Sequence, residues 1–313
     1  MPKINIAIIS GGWSRERDIS IKSGNAVCNA LDKYKYDITI YDPSNDLELL
    51  VKNRKSIGLA FILLHGRFGE DGCIQGFLNL LKIPFVGSDV TASAMSSNKK
   101  IAKDVYRLAG LNVIKDVTLQ KGNDFSVDKI IDFLGQKTIV KPLSEGSSFG
   151  ISICNNHKEL LKGIETTFKY DNEIMIEKFI NGREVTCCVL GNNSLDTLPI
   201  VEIIPNNSHK FFDYEAKYTK GASREICPAN LSSALSEKIT QYAKTAHRAL
   251  RCSVWSRTDM IIAGNKVFIL ETNTIPGMTE NSLVPLASKA AGLSMPQLLD
   301  KLIDFSLEKE NPA

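Results

Sequence analysis

The first hundred residues alternate short apolar runs with amphipathic segments, and that alternation restricts the fold more than any other feature of the chain. "INIAIIS", "YDITIYD" and "GLAFILLHG" read as strands. Residues Ile19 to Leu31 and "CIQGFLNLL" read as helices, the second with Ile74, Phe77, Leu78 and Leu81 recurring at helical spacing. Strands separated by helices are joined by crossovers, so the pattern predicts a parallel sheet covered by helices. Glycines at two strand ends, in "SGGWS" and "LLHGRFGEDG", stand where ligands enter such sheets. "SGGWSRE" does not fit G-x-G-x-x-G, which argues against a dinucleotide site.

From about Ser96 the pattern changes. A helix from Asn98 to Ala109, a strand, a helix and the strand "TIVKP" lead into the Gly/Ser-rich "LSEGSSFG", and the strand "GISIC" follows. Strand, loop, strand is not the context of G-x-x-x-x-G-K-[ST], whose lysine opens a helix behind the glycines. A helix from Lys158 to Phe168 and the strand "EIMIEKFI" close this part near Asn181. Beyond it lie "REVTCCVLG", a polar and aromatic stretch "NNSHKFFDYEAKYTKGASREI" of the kind that forms lids, a helix from Ser232 to Leu250, a hairpin and a last helix. The expected organisation is an N-terminal α/β domain over residues 1–95, a central unit over 96–182 and a C-terminal unit over 183–313.

Composition narrows the function classes. With 43% apolar and 23% charged residues the chain is an ordinary globular one, and a net charge of +3 is too small to mark a nucleic-acid binder. Its longest apolar runs fall short of a membrane span, and the N-terminus has no cleavage site, so no membrane association is expected. Seven cysteines without C-x-x-C spacing suggest buried free thiols in a reducing, cytoplasmic compartment. Cys187 and Cys188, being adjacent on a strand, should face opposite sides of the sheet.

The hairpin "SRTDMIIAGNKVFILETNTIPGM" carries the densest chemistry. Glu271 and Asn273 share one strand face. A two-residue turn at Gly264–Asn265 would pair Asp259 with Leu270, whereas a three-residue loop from Gly264 to Lys266 would set it opposite Glu271. The second arrangement is expected, because three oxygen ligands on one face suit Mg²⁺ and carboxylates within apolar strands are costly without a counter-charge. Lys141 ends an apolar strand, and Lys99 and Lys100 open a helix, where an anion would offset their conflict with the helix dipole. Glu177, Lys178 and Glu184 lie where a strand end could meet a base and a ribose. His65 and Glu16 have no metal-ligand partner at helical spacing, and no G-x-S-x-G elbow is present.

In chain order, "GGWSRERDIS", "LHGRFGEDG", "IVKP", "EGSSFG", "DYEAKY", "RTD" and "ETNTIPGMTENSLVP" resemble the motifs of D-alanine–D-alanine ligases of the ATP-grasp superfamily, from Ile6 to about Phe305. The resemblance implies that the α/β domain is followed by a two-part ATP-grasp fold, whose glycine-rich loop covers a triphosphate. It further implies ATP contacts from Lys99, Lys141 and Ser148, with Glu177, Lys178 and Ile180 at the adenine and Glu184 at the ribose. Asp259, Glu271 and Asn273 would hold two Mg²⁺, which Mn²⁺ can replace. Arg257 and the Gly277 backbone N–H would form an oxyanion site. Glu16 would hold the amino group of the first D-alanine and join Ser147 and Tyr218 in fastening the lid. His65 would lie near the first D-alanine's carboxylate, Lys217 would reach the γ-phosphate, and Ser282 with Leu283 would receive the second carboxylate. Tyr218 favours an amine nucleophile over a hydroxyl, and a homodimer through the first domain is implied.

Trp13, Ser256 and Thr258 depart from the family pattern, and the hairpin looks one residue tight. Two other readings are a ligase for another acceptor and a nucleotide-binding protein without catalysis. The complete Lys–Arg–Asp–Glu–Asn set speaks against the second.

Overall fold

Strands Ile4–Ile9 (β1), Tyr36–Tyr41 (β2), Leu59–Ile62 (β3) and Phe85–Val86 (β4) form a parallel sheet in the order β2-β1-β3-β4. The computed structural model describes residues 3–144, 150–205 and 223–310. Helices Arg17–Ala30 (α1), Pro43–Asn53 (α2) and Cys73–Leu81 (α3) supply the crossovers that parallel pairing requires. Central strand β1 is apolar on both sides. Ile6 and Ile8 enter one core and Ala7 and Ile9 another, which explains its unbroken apolar run.

After helices Val90–Ser97 (α4) and Lys99–Leu108 (α5) comes an antiparallel sheet of Asp116–Gln120 (β5), Thr138–Pro142 (β6), Ser152–Cys154 (β7) and Glu173–Lys178 (β8). Its order is β5-β8-β6-β7. Helices Val127–Leu134 (α6) and His157–Thr167 (α7) close its own core, built on Leu134, Val140, Leu160 and Ile176.

The third sheet runs β12-β11-β9-β13-β14, from Arg183–Gly191 (β9), Val201–Pro205 (β11), Ser223–Ile226 (β12), Val254–Ala263 (β13) and Lys266–Asn273 (β14). The short Leu195–Thr197 (β10) pairs with β9. Helix Ser233–Ala249 (α8) covers one face. The other face shares a core with the first sheet and the closing helices Leu283–Ala290 (α9) and Met295–Glu310 (α10). Cys187 and Cys188 enter these two cores separately, as alternation along a strand requires. All seven cysteines are unpaired; four are buried, Cys28 and Cys227 are half-buried and Cys73 is exposed. Burial pushes the Cys187 and Cys252 thiols up to about 12, so they are inert packing groups. No helix among the described residues is long and apolar enough to cross a membrane.

The hairpin corrects one expectation. Its loop has two residues, since Ala263 pairs with Lys266, yet Asp259 does lie opposite Glu271. A β-bulge reconciles the two: Met260 pairs with Ile269 and Asp259 with Glu271, leaving Leu270 as the extra residue. The bulge also reverses the phase of β14. Val267 and Ile269 face the core beneath α8, and in unbroken alternation Glu271 and Asn273 would follow them there. With Leu270 inserted, Thr272 takes the buried side and the two polar residues stand on the open face with Asp259.

Candidate active site

The carboxyl ends of β1 and β3 open onto a cleft of about 1000 Å³. Its walls bring together Glu16 and His65 from the first unit, Lys99 from the start of α5, Arg257, Glu271 and Asn273 from the hairpin, and Gly277, Ser282 and Leu283 from the approach to α9. Glu16 is the N-cap residue of α1, buried, with its backbone N–H donating to Ser14 Oγ at 3.1 Å. His65 is also buried, with Nε2 3.5 Å from Ser23 Oγ and Nδ1 3.9 Å from Glu70 Oε1. Spacing alone favoured a structural role for this histidine; its place on the cleft wall is a tertiary fact. At Gly277 a Cβ would lie 2.9 Å from Ser282 Oγ, so a larger residue there would have to displace that hydroxyl. Ser282 is the N-cap of α9, but its hydroxyl is turned to Thr279, accepting from the N–H at 3.0 Å and lying 2.8 Å from Oγ1. The first amides of α9 thus have no cap from this side chain, and the helix start at the cleft suits a carboxylate.

Asp259 lies behind the wall residue Arg257, 5% exposed, with its carboxylate saturated by donors. Arg257 reaches it with two bonds, Nε to Oδ1 at 2.9 Å and Nη2 to Oδ2 at 2.8 Å. Thr186 Oγ1 donates to Oδ1 at 2.6 Å, and Asn273 Nδ2 lies 3.3 Å from Oδ2. Two carboxylates and an amide, without sulfur or imidazole, form a donor set that fits a hard divalent cation. The guanidinium supplies the positive charge this carboxylate needs, and a cation would replace it there.

Behind the strands, Tyr106 of α5 donates to Thr272 Oγ1 at 2.8 Å, and Thr258 Oγ1 lies 3.1 Å from the same atom. His247 Nδ1 lies 2.8 Å from Ser256 Oγ, and burial, aided by Arg248, holds this histidine down at about 4 and therefore neutral. The departures at Ser256 and Thr258 are thus partners of buried polar groups on the helix-covered face, while Arg257 between them points to the site. Trp13 is half exposed on the cleft wall and packs edge-on against Phe68, with ring centroids 5.6 Å apart.

Lys141 and Glu177 form a second group, on β6 and β8, beside the cleft rather than on its walls. Lys141 Nζ is 2.6 Å from Glu177 Oε2, and both residues are buried. Burial by itself would raise the Glu177 carboxyl, but Lys141 and Lys103 outweigh it and hold it down at about 2. The Lys99 backbone N–H reaches the Leu143 carbonyl at 3.5 Å, which joins the start of α5 to the end of β6. Lys178 is exposed at the end of β8, Ile180 is half-buried just beyond it, and Glu184 is half-buried on β9 opposite Ile203 and Ile261. Ser147, Ser148, Lys217 and Tyr218 lie outside the described residues.

Three buried side chains that hold this geometry were not singled out from the sequence: Lys103, Thr186 and Tyr106. The signal for Lys103 was its place on α5 between Ala102 and Tyr106, both core residues. A lysine on a buried helical stripe needs an anion, and two meet it here.

The D-ala D-ala ligase C-terminus family model matches residues 105–304, and the corresponding N-terminus model matches residues 45–88. The chain is 50% identical over 306 residues to a D-alanine–D-alanine ligase of Syntrophobacter fumaroxidans, covering 98% of each chain. It is 48% identical over 309 residues to that of Desulfotalea psychrophila, covering 98% of this chain and 96% of the relative. Among solved structures it resembles the Bacillus anthracis D-alanine–D-alanine ligase complexed with ATP, with TM-score 0.87, 35% identity and coverage of 98% and 99%. The VanG D-Ala:D-Ser ligase of Enterococcus faecalis is similar at TM-score 0.84 and 34% identity, with coverage of 97% and 100%. The matched models span most of the chain, and the chain belongs to the D-alanine–D-alanine ligase family.

Proposed function

We propose that the protein joins two D-alanines at the expense of ATP, through an acyl phosphate, for cell-wall precursor synthesis. The observation that carries this reading is the cleft. It gathers a carboxylate (Glu16), a histidine (His65), a guanidinium over a carboxylate hairpin (Arg257, Asp259, Glu271 and Asn273) and a helix start (Ser282, Leu283) around one space. Phosphorylating a carboxylate brings two anions together, and the positive groups of the site, Arg257, Lys99 and Lys141, offset that repulsion. Glu16 holds the first amino group, and His65 stands at that substrate's carboxylate. The start of α9 takes the second carboxylate and so aims its amine at the activated carbonyl. Arg257 and the Gly277 N–H then meet the oxyanion. Asp259, Glu271 and Asn273 are the residues to hold Mg²⁺ or Mn²⁺, whose chemistry is charge neutralisation on the phosphates.

The same reading places Lys141, Glu177, Lys178, Ile180 and Glu184 along the nucleotide, with Ser147, Ser148, Lys217 and Tyr218 completing the lid. It assigns residues 1–95 to the substrate domain and residues 96–182 and 183–313 to the two halves of the nucleotide clasp. It also puts the enzyme in the cytoplasm as a homodimer. Exposed Ile40 on edge strand β2, with exposed Leu47 and Val51 on α2, gives the first unit an apolar surface consistent with pairing.

The test is phosphate release from Mg-ATP with D-alanine, set against L-alanine, D-alanine plus D-serine and D-alanine plus D-lactate, with products identified by mass. One phosphate per D-alanyl–D-alanine is the expected result. A mixed product formed in preference would make it a ligase for another acceptor. Nucleotide binding without turnover on any substrate would sink the ligase assignment.

A further inference from the structure

Lys103 is only 1% exposed, and its ammonium group is fully engaged. Nζ lies 2.7 Å from the Ile114 carbonyl, 2.8 Å from Asp116 Oδ1 and 2.6 Å from Glu177 Oε1. Three donors meet three acceptors, one of them a main-chain group, so this cation is fixed in place. The need for it follows from strand pairing. Asp116 on β5 stands directly opposite Glu177 on β8, and like charges facing across a ladder repel. Lys103, reaching in from α5, lies between them.

Glu177 therefore has two cations of different character. Lys103 binds Oε1 from within the protein, and Lys141 binds Oε2 from the end of β6, beside the Gly/Ser-rich segment. We propose that Lys103 is a positioning residue that keeps Glu177 compensated while Lys141 is transferred from that carboxylate to a nucleotide phosphate. The inference rests on the reading of this region as a nucleotide site. Without Lys103, the departure of Lys141 leaves a buried carboxylate facing Asp116, and the site must either retain Lys141 or take up a proton. The charged groups around Glu177 are Lys103 from α5, Lys141 from β6 and Asp116 from β5, with Arg107 paired to Asp116 from the exposed side.

The experiment is calorimetric titration of the whole protein with Mg-ADP, between about pH 8 and about pH 6, in buffers of different ionisation enthalpy. In Lys103→Met, affinity at the upper end falls by about tenfold or more, recovers as pH drops, and is accompanied by proton uptake that the parent protein lacks. Lys103→Arg keeps the charge and restores pH-independent binding, and the KM for D-alanine is unchanged in both. Because Lys103→Met also leaves Asp116 with Arg107 as its remaining cation, Asp116→Asn with Lys103→Met is the folding control. It is charge-balanced without nucleotide, yet it shows the same weakened, proton-coupled binding. Parent-like affinity without proton uptake in either methionine variant overturns the inference while leaving the nucleotide reading intact. A parent protein that does not bind Mg-ADP at all overturns both.

Discussion

At the scale of single residues, the site is organised by pairs whose members have different tasks. Arg257 holds Asp259 through two bonds, so its loss removes a cation from the cleft wall and leaves a buried carboxylate short of donors. Arg257→Ala is expected to lower turnover by about 10²–10³, the usual cost of losing one oxyanion donor, with a smaller change in the KM for ATP. Steady-state phosphate release measures it, and retained turnover would remove Arg257 from the chemistry. Glu177 yields a prediction about stability. Its folded-state carboxyl sits near 2, below the ordinary 4.5, so the stability it contributes is complete above the ordinary value and is lost as pH falls through that interval. Urea unfolding across the acid range should show this fall, and Glu177→Gln should flatten it. An unchanged slope in the variant would mean that other carboxylates carry the acid response. At this scale the sequence made candidates conspicuous, because carboxylates inside apolar strands and a lysine at a strand end stand out, and the fold brings many of the candidates to one cleft. The supporting contacts of Thr186, Tyr106 and Lys103 were not legible, since each arises from elements distant in the chain.

At the scale of elements, the strand and helix order of the first unit could be read from periodicity because both faces of β1 are buried and its helices carry apolar stripes. The hairpin was harder. Pairing counted back from the turn gives one register and the chemistry of the carboxylates demands another, and sequence does not display the bulge that satisfies both. Leu270 absorbs the difference. Deleting it should therefore be tolerated, because the regular two-residue hairpin then sets Asp259 opposite Glu271 without a bulge. An alanine inserted between Leu270 and Glu271 should instead break that pairing. With one more residue the strand can resume unbroken alternation, which keeps Glu271 on the open face but sets it opposite Arg257 instead of Asp259, with Asn273 carried two pairing positions further on. Both variants are expected to unfold cooperatively, but only the deletion to release phosphate. Equal activity in the two would show that the hairpin's register does not matter to what Glu271 and Asn273 do.

At the scale of the whole molecule, the cores decide what can move. The first and third sheets share one core, in which Trp255 of β13 packs edge-on against Phe61 of β3 with ring centroids 6.4 Å apart. The second sheet and its helices close a core of their own, with residues from neither neighbour. A rigid body made of the first and third sheets, with the second sheet able to shift against it, follows from that division. Among the described residues, Arg15 reaches across the cleft between these parts, its guanidinium 5.7 Å from the ring centroid of Tyr170, which follows α7. The chain's two tryptophans sample the two environments, Trp255 at 1% exposure within the shared core and Trp13 at 51% on the cleft wall. Closure of the second sheet over Mg-ATP and D-alanine should shift the emission of Trp13 to shorter wavelength and leave Trp255 unaltered. In Trp255→Phe the full ligand-induced change should therefore persist, and in Trp13→Phe it should vanish. If the change instead follows Trp255, the shared core rearranges on binding, and the first and third sheets do not behave as one body.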